Sequence, residues 1–299
     1  MAVQTPALHE EVLGIAEGAG LPAAQVVVLN AVEDIAPAGA AESVAGGDTS
    51  IYFNASDGPL LGHRWAMHPD VAQFARILGL TELDGRVQWL LTLPGTLGMA
   101  GLNPKGLAVS SLGLSLIDRG VGLPWPAVVR RLLGCESAAD ACDTLKRLPL
   151  AGSRYVIVAD GEAFFGIESS HGRAITTQVG PKAAHLHTNH CFDPLLRQRE
   201  RLPRSTSSFR RINETSTVYA QERPKTMDAL WAILGGDRVG NRSPGDDDGS
   251  HNVRTAALAV MRPGGTQLRW APSADASVAP TILDTDQPIA MAAAPSKPK

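Results

Sequence analysis

The sequence predicts an α+β layered fold with antiparallel sheets. Three observations carry this: hairpin signals recur along the chain, pairs of helical segments separate them, and the composition can fill a core. The 299 residues allow one large domain or two small ones. Hydrophobic residues make up 44% and charged residues 19%, which provides a sizeable core and excludes global disorder. A formal net charge of −3 argues against a dedicated nucleic-acid binder, which carries a basic excess.

The elements follow in order. Leu8, Val12 and Ile15 recur at helical intervals over residues 8–18, and Gly18 and Gly20 end that helix. The run at 25–32 is short and apolar, so helix and strand both stay open there. Residues 36–47, rich in Ala and Gly, read as a loop. The runs 49–56 and 59–67 flank Asp57-Gly58, a strong hairpin cue. Further strands are expected over 86–93 and 106–114. A helix over 124–134 has Pro near its start and Gly at its end. A second helix opens at Ser137 with Asp140 in its first turn and ends near Leu148. The runs 154–160 and 162–169 form a hairpin around Gly161. Residues 205–232 read as helix, turn, helix, broken at Pro224. The runs 255–263 and 266–271 form a last hairpin around Gly264-Gly265. Hairpins alternating with helix pairs imply layers.

The expected organisation is a single domain over 1–272 followed by a flexible tail over 273–299, rich in Ala, Pro and Asp. The loop 240–249 carries Asp246, Asp247 and Asp248 and reads as a solvated acidic loop, not a metal site. Cys135, Cys142 and Cys191 are too few for a disulfide framework and contain no Cys-x-x-Cys pair. No stretch of about 18 apolar residues occurs, and the first twenty residues lack a basic start followed by an apolar run. A cytoplasmic protein without a membrane span is the expectation.

Five segments in order then carry a resemblance. They are GIAEGAG (14–20) with LN (29–30), GGDTS (46–50), DGPLLGHRW (57–65), GLNPKGLAVS (101–110), and HTNHC (187–191) ahead of the hairpin that follows Arg254. Together they resemble the acyl-coenzyme A:6-aminopenicillanate acyltransferase family of N-terminal-nucleophile hydrolases, over about residues 8–271. The resemblance implies a four-layer αββα sandwich with two antiparallel sheets. It also implies a chain that cuts itself before a Cys, whose freed thiol attacks amides or thioesters with its own α-amine as base. An Asn side chain helps hold the oxyanion.

Carried over position by position, the resemblance puts the oxyanion Asn at Asn189, a site Arg at Arg254 and a site Ser at Ser170. The nucleophile Cys falls on Asp48, the hairpin Asp on Ala66, and the preceding Gln-Asn on His63-Arg64. A carboxylate at 48 cannot make the acyl shift that cuts the chain. Strand alternation opposes moving the nucleophile to Thr49: if residue 48 faces the site, Ser50 also faces in and Thr49 faces away. The expected catalytic residues are therefore Asp48, Asn189 and Arg254. Ser50, Arg64, Ser170 and His190 are expected to contact substrate, and either His63 or Arg64 to point inward and pair with Asp48.

The spacing of His187 and His190 is explained by the family pattern without a metal, and no metal or cofactor is expected. Cys191 reads as a core thiol, and His63 and His68 as packing or surface residues. The function expected is a non-self-cleaving acyltransferase- or amide-hydrolase-like enzyme on a small acyl, amide or amine substrate, with Asp48 as acid–base group. Two alternatives stay open: an inactive ligand- or partner-binding paralogue, and a self-cleaved hydrolase with Thr49 as nucleophile. Neither nucleic acid nor membrane is an expected partner, and homodimerisation is left open.

Overall fold

The structure, a computed structural model, describes residues 1–35, 47–178, 183–202, 207–236, 239, 254–272 and 278–287. The acidic loop 240–249 lies outside the described residues, as does most of the Ala- and Gly-rich loop read after residue 35.

The helices are α1 (Pro6–Ala19), α2 (Ala23–Ile35), α3 (Pro69–Ala72), α4 (Trp125–Leu133), α5 (Ala138–Arg147), α6 (Pro194–Arg197), α7 (Ser208–Glu222) and α8 (Met227–Gly235). The strands are β1 (Thr49–Ala55), β2 (Gly58–Met67), β3 (Arg76–Thr81), β4 (Val87–Thr92), β5 (Ala100–Leu102), β6 (Ala108–Gly113), β7 (Arg154–Ala159), β8 (Phe164–Ser170), β9 (Arg173–Gln178), β10 (His185–His187), β11 (Arg254–Met261), β12 (Gln267–Ala271) and β13 (Thr281–Asp284). Among the described residues no single helix is long and apolar enough to cross a membrane.

The strands form two antiparallel sheets, one ordered β10-β1-β2-β11-β12-β13 and the other β3-β4-β5-β6-β7-β8-β9. Side chains alternate across each strand. Tyr52 of β1 therefore meets Phe164 of β8 across the gap at 4.2 Å between ring centroids, within the large central core. Ile51, Phe53 and Leu60, on the opposite face of the first sheet, pack with Leu230, Ile233 and Leu234 of α8. Helices α4 and α5 cover the outer face of the second sheet, and α2 packs on α4. The result is the four-layer αββα sandwich.

Local chemistry sets the element ends. Helix α1 begins with Pro at its first turn and stops at Gly20, which takes the left-handed φ of 64°. The Ser137 hydroxyl caps α5 by accepting from the Asp140 N–H at 3.2 Å. In the first hairpin Ala55 pairs with Gly58, so Ser56 and Asp57 form the turn and Gly58 opens β2 with φ 113°. The open run at 25–32 lies inside helix α2. One segment departs from the tail expected over 273–299: Thr281–Asp284 is β13, paired with β12, and Thr285 is fully buried. The β12 edge offers free ladder groups, and β13 satisfies them.

Candidate active site

Asp48 immediately precedes β1, where the two sheets meet. The segments around it supply its partners. From β2 the Ala66 N–H donates to Asp48 Oδ1 at 2.9 Å. From the end of β6 in the other sheet the Gly113 N–H approaches Oδ2 at 3.5 Å. From the turn after β10 the Asn189 Nδ2 donates to Oδ2 at 3.3 Å. Asp48 is 3% exposed. Burial, the largest influence, pushes its carboxyl above the ordinary carboxylate range, against the lowering effects of the Ala66 N–H, the Arg211 charge, the Asn189 amide and the Gly113 N–H.

Asn189 is held in one orientation. Its Oδ1 accepts from the Asp48 N–H at 2.9 Å and from Arg211 Nη2 at 2.7 Å, while its Nδ2 also donates to the Gly113 carbonyl at 3.0 Å. A flipped amide would face donor against donor on one side and acceptor against acceptor on the other. Its backbone N–H donates to Ser208 Oγ at the start of α7, 2.8 Å away. The turn carrying it is fixed through Glu168 on β8, whose carboxylate accepts from His187 Nε2 at 2.9 Å, from the Phe192 N–H at 2.5 Å and from the Asp193 N–H at 2.9 Å. His187 Nδ1 faces the Thr188 carbonyl at 2.6 Å. Burial raises the Glu168 carboxyl, yet these donors outweigh it and leave the group lowered.

Arg211 on α7 is the arginine of this site. It is 1% exposed; Nε donates to Ser207 Oγ at 3.0 Å, and Nη1 donates to the Asp48 carbonyl and to Thr49 Oγ1, the latter at 3.2 Å. The sequence carried a signal for it: Ser208, Arg211, Thr215 and Val218 are the buried positions of α7, one stripe at helical spacing.

Two expected site residues direct their side chains away from Asp48. Arg254 opens β11 opposite Met67, one residue beyond Ala66, but it is exposed and donates to the Pro69 carbonyl at 3.3 Å. Arg64 faces α8, not the gap between the sheets. Its Nη1 donates to the carbonyls of Leu234 at 2.7 Å and Gly236 at 3.1 Å, and its Nε to Thr255 Oγ1 at 2.7 Å. A cation closing a helix C-terminus is electrostatically favourable, and the contact takes Arg64 away from Asp48. Thr49 points to the same outer side, toward Arg211, as alternation requires.

The inward residue of the pair is His63, fully buried between the sheets with Nδ1 at 2.6 Å from Ser110 Oγ. Burial holds its imidazole down to about 4, hence neutral. Ser50 lies directly opposite His63 on the same face, its hydroxyl buried with no hydrogen-bond partner among the described residues. Ser170 ends β8 on the gap-facing side, also buried and without a partner among the described residues. His190 packs against Phe209 and Phe192, its Nδ1 at 2.8 Å from Ser208 Oγ, so it braces the Asn189 turn. The three cysteines are buried and unpaired, and burial pushes the Cys191 thiol far up, as for a core thiol.

Comparisons with known proteins bear on this geometry. Residues 54–232 match the family described as acyl-coenzyme A:6-aminopenicillanic acid acyl-transferase. The chain is 27% identical over 217 residues to the 40 kDa form of acyl-coenzyme A:6-aminopenicillanic-acid-acyltransferase from Emericella nidulans, a match covering 71% of this chain. It spans about 60% of the length of that curated relative. Among solved structures, penicillin V acylase from Agrobacterium tumefaciens superposes with a TM-score of 0.55 at 14% identity, over 79% of this chain and 86% of that one. A single-residue variant of conjugated bile acid hydrolase from Clostridium perfringens gives a TM-score of 0.57 at 12% identity, over 79% and 92%. These likenesses show a shared fold.

Proposed function

The chain belongs to the acyl-coenzyme A:6-aminopenicillanic acid acyl-transferase family, and within it we propose that this protein is an uncut member that works on a small acyl, amide or amine-bearing substrate with Asp48 as its acid–base group. The observation that carries this reading is the Asp48–Asn189 pair: a buried carboxyl raised above its ordinary range, 3.3 Å from an amide locked in place by Arg211. A raised carboxyl is suited to proton transfer. Asn189 Nδ2 gives one hydrogen to the Gly113 carbonyl and the other to Asp48 Oδ2, so it orients the carboxyl for that transfer.

The test is turnover of a panel of acyl-coenzyme A thioesters and N-acyl amides by wild type and by Asp48→Asn. The expected outcome is activity on a member of the panel that falls by ~10²–10⁴ in the variant, the usual worth of general acid–base catalysis. Both Asp48 oxygens accept from N–H groups. An Asn there sets its NH₂ against a donor, so the rate is to be read per folded molecule. Full activity in Asp48→Asn would defeat the acid–base assignment.

One contact favours a second reading. Arg211 Nη1 reaches both the Asp48 carbonyl and Thr49 Oγ1. A hydroxyl held beside the preceding carbonyl, with a cation on that oxygen, is an arrangement for attack on the Asp48–Thr49 bond. The outward direction of Thr49, away from the gap between the sheets, weighs against it as a substrate nucleophile.

A further inference from the structure

We propose that the donors around Asp48 form a carboxylate cradle filled by the chain's own side chain, a built-in occupant that competes with any carboxylate-bearing ligand reaching them. The inference rests on placing the site at Asp48, as the proposed function does, and on no catalytic step.

Three donors from three separate segments converge on the two carboxyl oxygens: Ala66 N–H on Oδ1, and Gly113 N–H with Asn189 Nδ2 on Oδ2. Two of them are backbone groups of strand ends and cannot turn away. The third is fixed because Asn189 Oδ1 is engaged by the Asp48 N–H and Arg211 Nη2. The Arg211 guanidinium, on the Asp48 carbonyl, adds positive charge behind the carboxyl. This set suits a planar group with two acceptor oxygens and negative charge. In this structure the group is Asp48 itself, 3% exposed. A ligand carboxylate therefore reaches these donors only when the Asp48 side chain gives them up.

Removing the side chain exposes the cradle. Asp48→Gly deletes the equivalent of one acetate and leaves buried N–H groups unpaired, a costly state that a matching anion relieves. Thermal unfolding of wild type and Asp48→Gly is followed against sodium acetate, with sodium chloride and acetamide as matched controls. The expected result is a saturable rise in Tm on the order of 2–4 °C for the variant in acetate, none in acetamide, and none for wild type. Asp48→Gly combined with Asn189→Leu loses the rise. An equal rise in chloride or in wild type, or no rise in a variant that is folded by circular dichroism, overturns the proposal. If Asp48→Gly does not fold alone, refolding is compared in acetate and in chloride. Recovery in acetate only supports the cradle, and recovery in neither overturns it. Because no activity is read, acetate binding alongside a fully active Asp48→Asn would leave the cradle standing and remove only the acid–base reading.

Discussion

At Asp48 burial and hydrogen bonding pull the carboxyl in opposite directions, and burial prevails. Arg211 is the charge that restrains the rise. Replacing it by Met keeps an apolar body on the stripe of α7 but removes that charge, so the Asp48 carboxyl moves further up. The measurement is the ¹³C carboxyl titration of Asp48 in both proteins. The expected outcome is an upward displacement in Arg211→Met that Arg211→Lys largely cancels. An unchanged titration would make Arg211 a packing residue. At this scale two of the three residues expected to be catalytic are in contact. Asp48 and Asn189 were legible because ordered motifs surround them, and the two do touch. The side chains of Arg254 and Arg64, expected at the site, bond elsewhere, because a residue's position along a strand does not say which carbonyls its long side chain will reach. Arg64 went to the end of α8 and Arg254 to Pro69.

Helix α2 shows why one element stayed ambiguous. Its buried positions are Val26, Asn30, Glu33 and Asp34, at helical spacing but mostly polar, while Val28, Val32 and Ile35 are exposed. The apolar pattern thus reads the wrong face. The inward polar groups each meet a partner. Asn30 Oδ1 accepts from the Leu97 N–H at 2.9 Å, Glu33 pairs with Arg154, and Asp34 Oδ2 accepts from the Trp125 N–H at 3.0 Å. These contacts fasten α2 to the β4–β5 connection, to the start of α4 and to β7, where Arg154 pairs with Gly113, the residue whose N–H approaches Asp48. Burial raises the Asp34 carboxyl to about 6, more than the Arg154 charge and the Trp125 N–H lower it.

The folded state therefore keeps a proton that the unfolded chain releases from 3.8 upward, so this group's contribution declines as pH rises from about 4 to about 6 and stays low above. Asp34→Asn keeps an acceptor for Trp125 and removes the ionisation. It is expected to stabilise the protein at pH 7–8 by up to about 3 kcal/mol, and to do little near pH 4. Urea unfolding at the two pH values checks this, and equal effects at both would contradict it. Strands β3, β5 and β9 were not read from sequence. Strand β5 is three residues long, and β3 lies at a sheet edge with its residues only partly buried, so neither shows a full alternation.

Across the whole molecule the layering was legible because the hairpins β1–β2, β7–β8 and β11–β12 announced themselves by their turns, and the two sheets follow from which strands pair. What no local pattern reveals is the meeting of β2, β6 and the turn after β10 at the carboxyl of one residue, Asp48, and of helix α7 at its backbone carbonyl. The proposed function places that convergence inside an uncut chain, with Asp48 internal and not freed at a terminus. Intact-mass measurement of purified, aged protein tests it most directly. A single species at the mass of the uncut chain is expected. A fragment whose first residue is Thr49 would contradict it and transfer the chemistry to an N-terminal threonine.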